Sequence, residues 1–207
     1  TAVVIQPEDY PILQVGGRVP RAIQSARDGT YDPLWGKSPE DACRLLLDAA
    51  VGAGLSPGEA AALTVPLRDE LDYLLQRDGL VTLGAFARAR SRELGEAAFA
   101  RGDVRLVESH SPPEISSKLD WLRLHLRADG RPQGPGSPLH TVLGPGAAAA
   151  VQLPQGEAFW AALALSQLKS LANHTQAGLL VVLWEVQLAE GCRALLEGLP
   201  GGRLLCY

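Results

Sequence analysis

Two helix starts of the same design limit what this chain can fold into more than any other feature. Ser38-Pro39-Glu40-Asp41 puts a serine at the cap, proline at the first helical position and two acids at the positive end of the helix dipole. Leu45, Leu46, Ala49, Ala50 and Ala53 then recur at helical spacing, and Gly54 stops the run. Ser56-Pro57-Gly58-Glu59 repeats the start, now with a capping-box glutamate. A second stripe runs through Ala62, Val65, Leu67, Leu71, Leu74 and Leu75. Pro66 inside it predicts a break or kink, and Asp78-Gly79 ends it. Helices of this length are marginal alone, so the rest of the chain must cover their apolar faces.

What surrounds them is bounded by composition. A chain of 207 residues with 46% apolar content is long enough for one large or two small cores and reads as soluble. A net charge of −4 excludes the coating of nucleic acid or anionic membrane by bulk electrostatics. Cys43, Cys192 and Cys206 are odd in number, with no C-x-x-C pair, which points to reduced thiols in a cytoplasmic protein. The opening residues lack a signal peptide's basic flank, and the longest apolar run, Ala177 to Trp184, is too short to span a membrane.

Residues 1–37 read as an extended N-terminal segment, with a short strand at Ala2 to Ile5 and then prolines and glycines that keep the chain turning. After Leu80 two patterns compete. As a strand, Phe86, Arg88, Arg90 and Arg92 share one face; as a helix, Ala85 to Arg101 is rich in helix formers, with Arg92 and Glu96 one turn apart. The junction Gly54-Leu55-Ser56-Pro57-Gly58-Glu59-Ala60-Ala61, followed by Asp78-Gly79-Leu80-Val81-Thr82-Leu83-Gly84-Ala85-Phe86, resembles the bacterial histone-like HU/IHF family. The likeness covers residues 38–127. Its glycine-phenylalanine-glycine core is shortened here to Gly84-Ala85-Phe86, and the family's Arg-Asn-Pro arm tip is missing.

The resemblance implies a homodimer whose β-arms enter the minor groove of duplex DNA and wedge an apolar side chain between base steps. Carried over, Arg88, Arg90 and Arg92 line the arm, Arg101 and Arg105 lie on its return strand, and Phe99 is the apolar residue near the tip. The segment is not basic: residues 38–127 hold 11 Lys/Arg against 14 Asp/Glu. The plainer alternative makes these arginines the wet face of a third helix.

Ser111-Pro112-Pro113-Glu114 opens another helix, with Ile115, Leu119, Leu122 and Leu126 as its stripe. Residues 128–138, rich in proline and glycine, read as a linker to a helix-rich C-terminal domain, 139–207. Gly144-Pro145-Gly146-Ala147-Ala148-Ala149 fits G-x-G-x-x-A formally, but Pro154 cuts short the helix that a dinucleotide site needs, so a turn is the better reading. Glu157 to Asn173 is a strong helix; Leu179 to Trp184 is either a buried strand in a β-α-β unit or part of a core helix, the reading preferred here. The fold class is mainly α with a minor β component, α+β.

No catalytic, metal or cofactor constellation is visible. His110, His125, His140 and His174 have no metal-ligand spacing, and Asp69, Glu70 and Asp72 read as the solvated face of their helix. Three functions follow: an interaction protein, with an architectural DNA-binding dimer as one form of it; a scaffold that binds other proteins; or an enzyme with a dispersed site around a histidine such as His140 or His174.

Overall fold

The opening strand is the middle of a sheet. The computed structural model describes every residue except 18, 90–95, 97–99, 101, 103–112, 127–138, 140–142, 144–145, 175–178, 185, 187, 198–202 and 207. β1 (Ala2–Pro7) pairs in parallel with β3 (Ala148–Leu153) on one side and with β4 (Leu180–Leu183) on the other. β2 (Ala22–Ser25) extends the sheet beyond β3, and β5 (Arg203–Cys206) beyond β4. The order is β2-β3-β1-β4-β5, with every neighbouring pair parallel. Helix and strand are therefore mixed, as the sequence predicts, but the strands form one parallel sheet where a short arm was expected.

Alternation along β1 assigns its side chains to two unequal faces. Val3 and Ile5 join Ala149, Val151, Val181 and Leu183 in the large core shared with the helices. Val4 lies opposite Ala150 and Val182, and Ile12, Leu13 and Val15 pack against this trio. Gln6 holds that covering loop in place: its amide nitrogen donates to the carbonyls of Tyr10 and Pro11 at 3.2 and 3.1 Å, and its oxygen accepts from Leu13 N at 3.0 Å. A fully buried glutamine is tolerated because these bonds occupy its donor and its acceptor.

The helices are α1 (Pro39–Gly52), α2 (Pro57–Asp78), α3 (Leu83–Arg88), α4 (Pro113–Leu126), α5 (Ala158–His174) and α6 (Cys192–Glu197). The caps form as the sequence requires. Ser38 Oγ accepts from Asp41 N, and Ser56 with Glu59 makes a complete capping box. α2 runs unbroken through Pro66. The carbonyl that loses its donor belongs to Ala62, which is exposed, so water can satisfy it. Exposure of Ala62 and Val65 removes both from the expected apolar stripe. Gly52 and Gly191 let α6 approach α1: a Cβ on Gly191 would stand 2.6 Å from the Val51 carbonyl oxygen.

Three expectations are corrected. Leu83–Arg88 is helical, not an extended ribbon. Thr82 caps α3 by accepting from Ala85 N at 3.0 Å, and the buried Asp32 carboxylate accepts from Leu83 N at the same end. These anchors, with Phe86 buried, outweigh the alternation of arginines. Leu179 to Trp184 contributes β4 and no helix, and β4, α6 and β5 make the β-α-β unit. Asp69 and Glu70 are not on a wet face, at 8% and 0% exposure.

Glu70 is buried because Arg123 of α4 meets it. The two side chains form a fully buried ion pair; Arg123 also holds Asp120 at 2.7 Å and lies over the Phe86 ring, 5.0 Å from its centre. One guanidinium thus ties α2, α3 and α4 together. Breaking such a pair leaves an uncompensated buried charge, and Arg123→Ala is expected to lower the unfolding free energy by about 3–5 kcal/mol in urea titrations. The double change Glu70→Leu with Arg123→Met should recover most of that loss. A single variant as stable as the parent would contradict the lock.

Candidate interaction surface on helix α1

Helix α1 is buried along one side and charged along the other. Ala42, Leu45, Leu46, Ala49 and Ala50 face the core, while Glu40, Asp41, Arg44 and Asp48 are exposed. Its neighbours are α2 on one flank and α5 on the other. Both flanks leave space. Toward α2 lies a groove of about 370 Å³, with Cys43, Leu47, Val51 and Ala60 among its lining and Arg44, Asp48 and Arg68 as charged members. Toward α5 lies a smaller pocket of about 230 Å³ that Arg44 and Asp48 also line. The α2 groove exists because Pro57, Ala60 and Ala61 are too small to fill the space opposite Leu47 and Val51.

Charge in this surface is partly committed. Arg44 spans one turn to Glu40 and Asp41 at 3.5 and 3.6 Å; pairs this exposed are worth little individually. Burial pushes the Asp48 carboxyl above its ordinary range, against the pull of Lys169 and Arg44. Cys43 Sγ donates to the Thr64 carbonyl at 3.5 Å, and burial pushes its thiol up to about 11 despite Arg68 and Arg44 nearby. A thiol in that state is a packing group and not a nucleophile.

In open parallel sheets ligands commonly sit beyond the carboxyl ends of the strands. Among the described residues at that edge, Glu8 holds a loop. Glu8 Oε1 accepts from Ser25 Oγ at 2.8 Å and from Arg27 N at 2.6 Å, while Arg27 Nε lies 3.3 Å from Glu8 Oε2. The space between Pro7, Leu153, Gly156, Ala161 and Val186 is about 10 Å³, at most room for a water.

Of the residues singled out for DNA, Arg88 ends α3, exposed. Arg90, Arg92, Phe99, Arg101 and Arg105 lie outside the described residues, as do the 128–138 linker, His110, His140 and the side chain of His174. His125 is a packed residue, 4.5 Å from the Trp121 ring, 6.1 Å from Phe159 and 3.6 Å from Glu157. Among the described residues no three His, Cys, Asp or Glu side chains gather as a metal site would require, and no helix is long and apolar enough to cross a membrane. The α1 grooves do not emerge from the sequence pattern, in which the acids of the first turn are accounted for by the helix dipole. The one signal for them is the small-residue patch Pro57-Gly58 with Ala60-Ala61, set opposite a Leu47–Val51 ridge. Comparison of the chain with family models, curated proteins and solved structures finds no match.

The state of Cys43 is open to a direct check. With its thiol near 11 against an ordinary 9.0, iodoacetamide at pH 8 should label it roughly 100-fold more slowly than an unperturbed cysteine, followed by peptide mass mapping. Labelling should accelerate as pH rises toward 11 and on unfolding. Rapid modification of the folded protein at pH 8 would contradict its burial.

Proposed function

We propose that this chain is a non-enzymatic interaction protein that holds a short helical segment of a partner protein in the α1–α2 groove. The observation that carries the reading is the groove itself: about 370 Å³, with an apolar floor of Leu47, Val51 and Ala60 and charges at its border. Helix-in-groove recognition lays the apolar face of a partner helix into a groove of this kind. Free, buried thiols at Cys43 and Cys192 support a reducing, cytoplasmic setting.

Charge order favours a partner of different sequence. Glu40, Arg44 and Asp48 alternate at one-turn intervals along α1. Two copies of α1 docked antiparallel about Arg44 would set acid against acid, whereas a helix carrying base, acid and base at i, i+4 and i+8 complements the row. The homodimer on duplex DNA, with Arg88, Arg90, Arg92, Phe99, Arg101 and Arg105 as contacts, is the weaker reading. It needs a continuous basic ribbon, and residues 83–88 are helical in a chain of net charge −4.

Selection from a library of helical peptides tests this. Binders should carry the complementary charge row and perturb amide resonances of α1 and the first half of α2. Ala61→Trp fills the groove from an exposed position and should weaken them at least ~10-fold, the loss expected when an apolar anchor is displaced from its pocket. Equal affinity for that variant would remove the groove from the proposal. A gel shift with duplex DNA that weakens steeply with salt would instead favour the architectural reading.

A further inference from the structure

The pocket on the other flank of α1 has a different character. Lys37, Asp41, Arg44 and Asp48 from the α1 side meet Ser166 and Lys169 of α5 around about 230 Å³. Arg44 is engaged by Glu40 and Asp41, and Asp41 also accepts from Ser38 Oγ at 3.0 Å. That leaves two half-buried lysines, 37 and 169, facing one carboxylate, Asp48. Among the described residues neither lysine has a direct ion-pair partner. Ser166, only 3% exposed, lines the same pocket.

We propose that this pocket binds a small oxyanion, a phosphate or carboxylate group, with Lys37 and Lys169 supplying charge and the Ser166 hydroxyl donating a hydrogen bond. An oxyanion oxygen accepts from that hydroxyl while its charge meets both ammonium groups. A water would serve the hydroxyl alone; two lysines at the same wall select an anion. Asp48 narrows the ligand further. Its charge opposes a dianion more than a monoanion, so the site favours a singly charged group, a carboxylate or a phosphate in its monoanionic form. The size excludes anything much bigger than the group itself and a short attachment. Ala60 and Ala61 line the peptide groove but not this pocket, so the two sites can be blocked separately.

The test uses the full chain. Inorganic phosphate and acetate are titrated separately at constant ionic strength, with chloride as the reference, and binding is followed by thermal shift and calorimetry. A saturable response above chloride is expected. Lys169→Ala should weaken it by roughly 10-fold or more, as loss of a charge-assisted bond does, Ser166→Ala by a smaller factor, and Asp48→Asn should strengthen it. A response to phosphate alone assigns the site to phosphate groups, and a response to both admits carboxylates. Lys37→Ala, at a position outside any helix, provides a variant whose folding is not at issue. No saturation above chloride, or binding untouched by Lys37→Ala and Lys169→Ala, overturns the proposal. Loss of peptide binding in Ala61→Trp with phosphate binding intact would separate the two sites.

Discussion

The parallel pairing of β1 with two strands from the far end of the chain is the constraint on which everything else rests. Ala2 lies opposite Ala148 on one side and Leu180 on the other. Parallel neighbours cannot be joined by a tight turn, so each connection must cross the sheet and carry the helices with it. The helical core therefore packs against Val3, Ile5, Val151 and Val181. Among the described residues, the opposite face receives a loop pinned by Gln6. The closing loop entropy of such distant contacts is recovered only when the whole sheet assembles, which makes the first seven residues as structural as any later strand.

Local chemistry is legible in the sequence and distant pairing is not. Ser38, Ser56 and Glu59 announce their helices because a cap is decided within four residues. Ala2 to Ile5 announces a strand because β-branched side chains run together. Ala148–Leu153 gives no such notice: residues 147–150 are all alanine, a helix former, and only the place beside β1 makes this stretch extended. The stretch after Leu80 misleads for a similar reason. Its arginines alternate as on a ribbon, but Asp32, 51 residues away in sequence, caps the start of a helix there. Glu70 looks solvated because its partner Arg123 sits 53 residues on. A buried charge is invisible until the guanidinium that compensates it is placed.

The surface of α1 follows from the same architecture. The helix must bury one side against α5 and α6, where Gly52 and Gly191 permit close approach, and small residues on α2 prevent full contact on the other flank. What remains is a charged ridge between two recesses of unlike chemistry, one floored by apolar side chains and one walled by lysines and a serine. Burial raises both the Cys43 thiol and the Asp48 carboxyl at this surface.

Hydrogen–deuterium exchange of the intact chain tests the central placement of β1 most directly. Amides of Val3, Val4 and Ile5 should be among the slowest in the protein, protected as strongly as those of Ala150, Val151 and Val182 and released with them in one cooperative opening. Rapid exchange of residues 3–5 while β3 and β4 stay protected would show that the sheet does not depend on its opening strand, and would contradict the central role of β1.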